Sequence, residues 1–166
     1  MSDRHIISFP IAGQRFNYRV AGIIIVDGHV LITSEDDDDY FMLPGGRVEL
    51  GEPSHLSLER EIAEELDMPG EVGALVATSE SFYHRVGEDF HELGFFYAVH
   101  LPGQAPNGQS PWLMRHDEGH ELKFHWVPLA GDALETVNLL PRWLPDFLRN
   151  LPSHPAHIVH DERAPA

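Results

Sequence analysis

A chain of 166 residues with no cysteine, and with 11 Lys and Arg against 27 Asp and Glu for a formal charge of −16, excludes several kinds of protein at once. Disulfide scaffolds and thiolate chemistry are closed to it, stable binding to duplex nucleic acid by phosphate neutralisation is disfavoured, and no apolar run has the length of a membrane span. A single soluble, cytoplasmic domain over residues 1–153 is the simplest expectation, with the polar, Pro-containing residues 154–166 as a flexible tail.

After a polar start, Arg19 to Val26 and His29 to Thr33 are apolar runs separated by Asp27-Gly28, which predicts a tight two-residue hairpin. Glu35 to Asp39 is an acidic run between strands, read as a solvated loop with a secondary cation site as the alternative. Tyr40 to Leu43 leads into Gly45-Gly46, where a tight turn brings backbone carbonyls close to a ligand. A helix follows Glu52 and Pro53, with Leu58, Ile62 and Leu66 every four residues on its apolar face, and Pro69-Gly70 ends it.

Val72 to Tyr83 reads as a strand with room for a bend, Glu92 to His100 as another, Leu101 to Pro111 as a surface loop, and Leu122 to Val127 as a further strand. Between the last two, Arg115 to Glu121 reads as a Gly-containing loop. Leu140, Trp143, Leu144, Phe147, Leu148 and Leu151 fall at helical spacing and predict a second helix over 139–151, with a start or a kink at Pro145. His154, His157 and His160 recur every three residues in the expected tail, where adventitious metal binding is the alternative to fraying. Strands outnumber helices, so the class is α+β.

The chemistry concentrates between residues 46 and 68. A helix turns about 100° per residue, so Glu61, Glu64 and Glu65 fall on one face and their carboxylates converge. Like charges so placed repel unless a cation lies between them. Oxygen ligands without His or Cys favour Mg²⁺ or Mn²⁺, which keep coordination positions open for phosphate oxygens. A solvated Glu-rich face with an Arg60–Glu64 pair is the competing reading, but it needs neither the upstream glycines nor Glu52.

Gly46, Glu52, Arg60, Glu61, Ile62, Glu64, Glu65 and Met68 stand at the offsets of the Nudix box, G-x5-E-x7-R-E-U-x-E-E-x-G-U, so this segment resembles that of the Nudix hydrolases, the MutT-like family. Asp67 departs, standing where the family has the glycine that ends the helix in a left-handed conformation. The resemblance implies the Nudix fold, a mixed sheet sandwiched between helices, and a metal-dependent pyrophosphohydrolase that cleaves a phosphoanhydride in a nucleoside diphosphate linked to another moiety. It also implies that Glu61, Glu64 and Glu65 hold Mg²⁺ (or Mn²⁺) with a carbonyl of Gly45 or Gly46, with Glu52 as a further candidate ligand, and that Arg60 together with Glu52 orients a glutamate.

The general base is left among Glu64, Glu118 and Glu121, with Glu118 preferred. His84 and His91 are candidates to contact phosphates, and Tyr83, with Phe82 and Phe95, to stack on a base. A non-catalytic Nudix-like nucleotide-binding or regulatory domain is the alternative, and a homodimer is left open.

Overall fold

Strands that are apolar on both faces organise the structure, a computed structural model that describes residues 3–163. In β2 (Gln14–Ile23) and β4 (His29–Glu35), Val20 and Leu31 face one core, shared with Leu58, Ile62 and Leu66 of α1 (Ser54–Leu66). Ala21, Ile23, Val30 and Ile32 face a second core with Leu134 of α2 (Ala133–Thr136) and Leu144 and Leu148 of α3 (Leu144–Arg149). Two apolar faces need cover on both sides. Helices supply it, giving the α+β sandwich.

The larger sheet runs β1 (Ser8–Ile11), β2, β7 (Glu88–His100), β6 (Glu71–Arg85), β10 (Ala156–Asp161), with β5 (Gly45–Arg47) paired to β2. β2 is parallel to β7, and β10 to β6; the β1–β2, β2–β5 and β6–β7 pairings are antiparallel. The smaller sheet is β3 (Ile25–Val26), β4, β9 (His120–Pro128), β8 (Leu113–Asp117). The β3–β4 turn is the one expected at Asp27-Gly28, both residues having positive φ. The bend in β6 is real: its register with β7 shifts between Val72 and Ala77.

Three expectations are corrected, and one strand is added. The polar start holds β1, folded back on β2 through Ala12-Gly13, which also have positive φ. Residues 115–121 are not a loop, because Glu118-Gly119 is the two-residue turn of the β8–β9 hairpin. Helix over 139–151 is confined to Leu144–Arg149, with Pro145 in its first turn, where its missing N–H is harmless.

The presumed tail contributes β10, an edge strand whose exposed row, His157, Val159 and Asp161, is polar at two of three positions; residues 164–166 lie outside the described residues. His157 and His160 are three apart on that strand and therefore project from opposite faces. They bond separately, His157 to Thr78 and Glu80, His160 to Glu162, and form no common metal site.

Candidate active site

Glycine is required where α1 meets β5. A Cβ at Gly45 would lie 2.1 Å from the Val20 carbonyl oxygen, and one at Gly46 would lie 2.4 Å from the Glu61 carboxyl carbon. The two glycines thus let β5 pair with Val20 and Ala21 of β2 while Glu61 lies directly over the strand. At the other end of α1, Asp67 takes the left-handed conformation, φ 54°, ψ 36°, that the glycine of the box would adopt.

Arg60 organises the carboxylates. Its Nε and Nη2 donate to the two oxygens of Glu52 at 3.2 and 3.1 Å, Nη1 donates to Glu61 at 2.8 Å, and Nη2 also reaches Ser57 at 3.1 Å. Glu64 and Glu49 lie 3.5 and 3.7 Å from the same guanidinium. Such a two-pronged clamp is specific to arginine. Glu52 accepts from Ser57 as well, at 2.9 Å, and its carboxyl is held below the usual range chiefly by the Arg60 hydrogen bond. Both oxygens of this candidate metal ligand are therefore committed to orienting Arg60.

Glu61 is buried and its pKa is raised, with desolvation outweighing Arg60. Glu65 goes further. Its Oε2 is fully buried without a partner among the described residues, and desolvation, reinforced by Glu61 and opposed by Arg19 and the Gly45 amide, pushes its pKa up to about 8. An orphaned buried carboxylate oxygen beside a second buried carboxylate, next to a strand that only glycine permits, is a donor set suited to a hard divalent cation.

The three carboxylates nevertheless do not meet at one point. Among the described residues, the His, Asp and Glu set whose ligand atoms gather within 4.8 Å is Glu35, Asp36 and His120, all exposed. Arginines explain the difference, since Arg60 holds Glu61 and Arg4 holds Glu64 at 2.6 Å. Like charges with arginine available spread to pair with it.

The remaining candidates are distributed as follows. Glu118 is at the tip of the β8–β9 hairpin, close enough to Arg4 for their charges to interact. Glu121 lies on β9 against Lys123 at 3.2 Å and His116 at 3.5 Å, alternating with Leu122 and Phe124, which face α1. Its side chain therefore points away from the box helix. Tyr83, His84 and His91 are not brought together. The Tyr83 hydroxyl donates to Glu92 at 3.0 Å, and burial chiefly raises its pKa. His84 pairs with Asp89 at 2.8 Å near the exposed end of the β6–β7 hairpin. His91 sits between Phe16 and Phe82 in a cleft of about 410 Å³ also lined by Phe9, Ile11 and Arg15. Strand alternation puts Tyr83 on the opposite face of the sheet from His84 and His91. Phe95 packs edge-on against Tyr18 as part of the α1 core.

Sequence reasoning passed over Arg4, Arg19 and Asp117. Each reaches the carboxylates across the tertiary fold, Arg4 by its bond to Glu64, and Arg19 and Asp117 through their charges at Glu65. Spacing within the box contains no signal for them. The acidic run is also more than a solvated loop, because Asp36 accepts from the Glu121 amide at 2.9 Å and from His120 at 2.7 Å, bracing the hairpin that carries Glu118.

Comparison with solved structures returns the same architecture. The E. coli ORF135 protein is 25% identical with a TM-score of 0.51, the match covering 85% of this chain and 91% of that one. A Nudix hydrolase from Nitrosomonas europaea gives a TM-score of 0.58 at 15% identity, over 89% and 79% of the two chains. An ADP-ribose pyrophosphatase from Streptococcus suis 89-1591 gives 0.53 at 14%, over 85% and 98%. No curated protein matches. The NUDIX domain family matches residues 17–147, most of the chain and the whole of the box, and the chain therefore belongs to the Nudix hydrolase family.

Proposed function

We propose that the chain is a divalent-cation-dependent pyrophosphohydrolase that cleaves the phosphoanhydride of a nucleoside diphosphate linked to another moiety, with Mg²⁺ as the ordinary cation and Mn²⁺ as a substitute. The observation that carries this reading is the Glu65 carboxylate, whose Oε2 is buried and partnerless among the described residues, beside Glu61. A folding domain gains nothing from such a group, whereas a cation site needs it.

Glu61, Glu64 and Glu65, with a carbonyl of Gly45 or Gly46, would hold the cation. When bound it supplies charge neutralisation at phosphate oxygens and lowers the pKa of water. The chain's own residues do the rest. Arg60, locked to Glu52, fixes Glu61 in orientation over Gly46. Glu118, at the hairpin tip, takes the proton from the attacking water, a role that suits an exposed carboxylate with no competing hydrogen bond of its own among the described residues. Arg4 and Arg19 offset the formal charge of −16 where an anionic substrate approaches.

The test is a screen of nucleoside triphosphates, dinucleoside polyphosphates, nucleotide sugars and dinucleotides, ADP-ribose among them because a structural neighbour is named for it. Each is incubated with Mg²⁺ and scored for phosphate-containing products. Turnover of at least one that EDTA abolishes is expected. No cleavage of any member with Mg²⁺ or Mn²⁺ would overturn the reading.

A further inference from the structure

The first described residues lie along the box. The Ile7 amide donates to the Val48 carbonyl at 2.8 Å, the Leu50 amide donates to the His5 carbonyl at 2.8 Å, and Ile6 bridges antiparallel to Glu49. Backbone pairing therefore fixes residues 5–7 beside the loop that precedes α1. Arg4 is carried to Glu64, 60 positions later in sequence, with Nη2 2.6 Å from Oε2, and its Nε lies 4.0 Å from Glu49. Glu61 and Glu118 also act on its charge.

Arg60 and Arg4 differ in how firmly they are held. Arg60 is clamped by both oxygens of Glu52, by Glu61 and by Ser57, and its side chain is 23% exposed. Arg4 is 37% exposed and makes one hydrogen bond among the described residues, to the carboxylate that the proposed function assigns to the cation. A single part-exposed pair of this kind is weak enough to exchange.

We propose that Arg4 is an exchangeable counter-ion of the carboxylate cluster, holding Glu64 through the Arg4–Glu64 ion pair until a divalent cation takes its place. A guanidinium 2.6 Å from Glu64 Oε2 and a divalent ion on that same oxygen carry like charge and compete for it, and Arg4 lacks the two-pronged carboxylate clamp by which Glu52 keeps Arg60 in place. The exchange keeps Glu64 ordered in both states, so the cluster need not gather three bare carboxylates before the cation arrives. Because the segment is anchored by its backbone and not by Arg4, release of the side chain leaves residues 5–7 in place.

This inference rests on the cation-site reading above, and the experiment separates the two. The full chain and its Arg4→Gln, Arg4→Lys and Glu65→Gln variants are titrated with Mg²⁺ by calorimetry, without substrate. Arg4→Gln should bind Mg²⁺ about two- to fivefold more tightly than the parent, because a competing ion pair worth a part-exposed contact is gone. Arg4→Lys, which keeps the charge, should return toward parental affinity. Thermal melts should show Arg4→Gln below the parent without Mg²⁺ and level with it at saturation, since the pair is already broken in the loaded protein. Equal or weaker Mg²⁺ binding by Arg4→Gln, with Glu65→Gln clearly weakened, overturns the counter-ion and leaves the cation site standing. Equal binding by Glu65→Gln and the parent overturns both.

Discussion

The carboxylate of Asp67 lies 3.5 Å from the guanidinium of Arg115, tying the left-handed end of α1 to β8 of the smaller sheet. Two effects then oppose one another in Asp67→Gly. Glycine removes the steric cost of a Cβ at φ 54°, about 1 kcal/mol. It also loses an ion pair whose acid is 74% exposed, worth a few tenths of a kcal/mol, roughly 0.2–0.5. Relief of strain is the larger, so the variant should be more stable, with a melting temperature about 1–3 °C higher for a chain of this size. A lower melting temperature would mean that the Arg115 contact, and not helix-end strain, decides this position.

Glu65 makes stability depend on pH in a direction opposite to that of an ordinary salt-bridged acid. Its folded pKa, about 8, stands above the ordinary glutamate value of 4.5, so the folded state binds the proton more tightly than the unfolded chain. Stability is thus greatest below pH 4.5 as far as this group is concerned, and it declines as pH rises through the window up to about 8. Without divalent cations, Glu65→Gln should be more stable than the parent at pH 9, by on the order of 1–4 kcal/mol, and the gap should close toward pH 5. Saturating Mg²⁺ should reverse the order at pH 9, because the parent alone retains the full ligand set. Melting curves across pH with and without Mg²⁺ measure this. A gap that stays constant with pH would remove Glu65 as the titrating group.

What was legible in the sequence was local. The box offsets placed the acidic face, the apolar stripe Leu58, Ile62, Leu66 and the left-handed end at Asp67, because each depends on neighbours within a turn or two of helix. Asp27-Gly28 announced its hairpin for the same reason, whereas Glu118-Gly119 lay among polar residues and passed for a loop. Non-local pairing left no such mark. β10 binds β6 in parallel, Ala156 opposite Ala77, and its two histidines made it resemble a tail. Arg4 meets Glu64 only through the antiparallel register of residues 5–7 with 48–50. The expectation that three carboxylates converge stopped at helix geometry and could not include the arginine that the N-terminal segment delivers.

Arg60 serves as clamp and counter-charge together, so a lysine should replace it poorly. An ammonium cannot bridge Glu52 and Glu61 in the geometry seen, two nitrogens on one acid and a third on the other. Arg60→Lys should lose about 1–3 kcal/mol, the range for charged hydrogen bonds broken at buried acids, because Glu61 keeps its burial and loses its partner. Mg²⁺ binding should weaken as well, since Glu61 is no longer held over Gly46. Urea denaturation and calorimetry test the two parts. Full stability in Arg60→Lys would show that charge alone, without the fork, organises the cluster.

Glu118 and Glu121 are three residues apart, yet they belong to different environments. Glu118 occupies the hairpin tip near Arg4, while Glu121 points away from α1 and is held by Lys123 and His116. An acid that only takes a proton matters for turnover and little for cation affinity. Glu118→Gln should therefore lower turnover by about 10²-fold or more with Mg²⁺ binding unchanged. Glu121→Gln should stay near the parental rate, and any small loss of stability should trace to its Lys123 pair. Replacing Asp36 offers a further check, because Asp36→Ala removes the brace that its carboxylate gives to His120 and to the Glu121 amide while leaving both glutamate side chains in the sequence. It should lower turnover less than Glu118→Gln does, through looser placement of the tip. If Glu118→Gln and Glu121→Gln both turn over at the parental rate, the base lies within the box, and Glu64 is the residue to replace next.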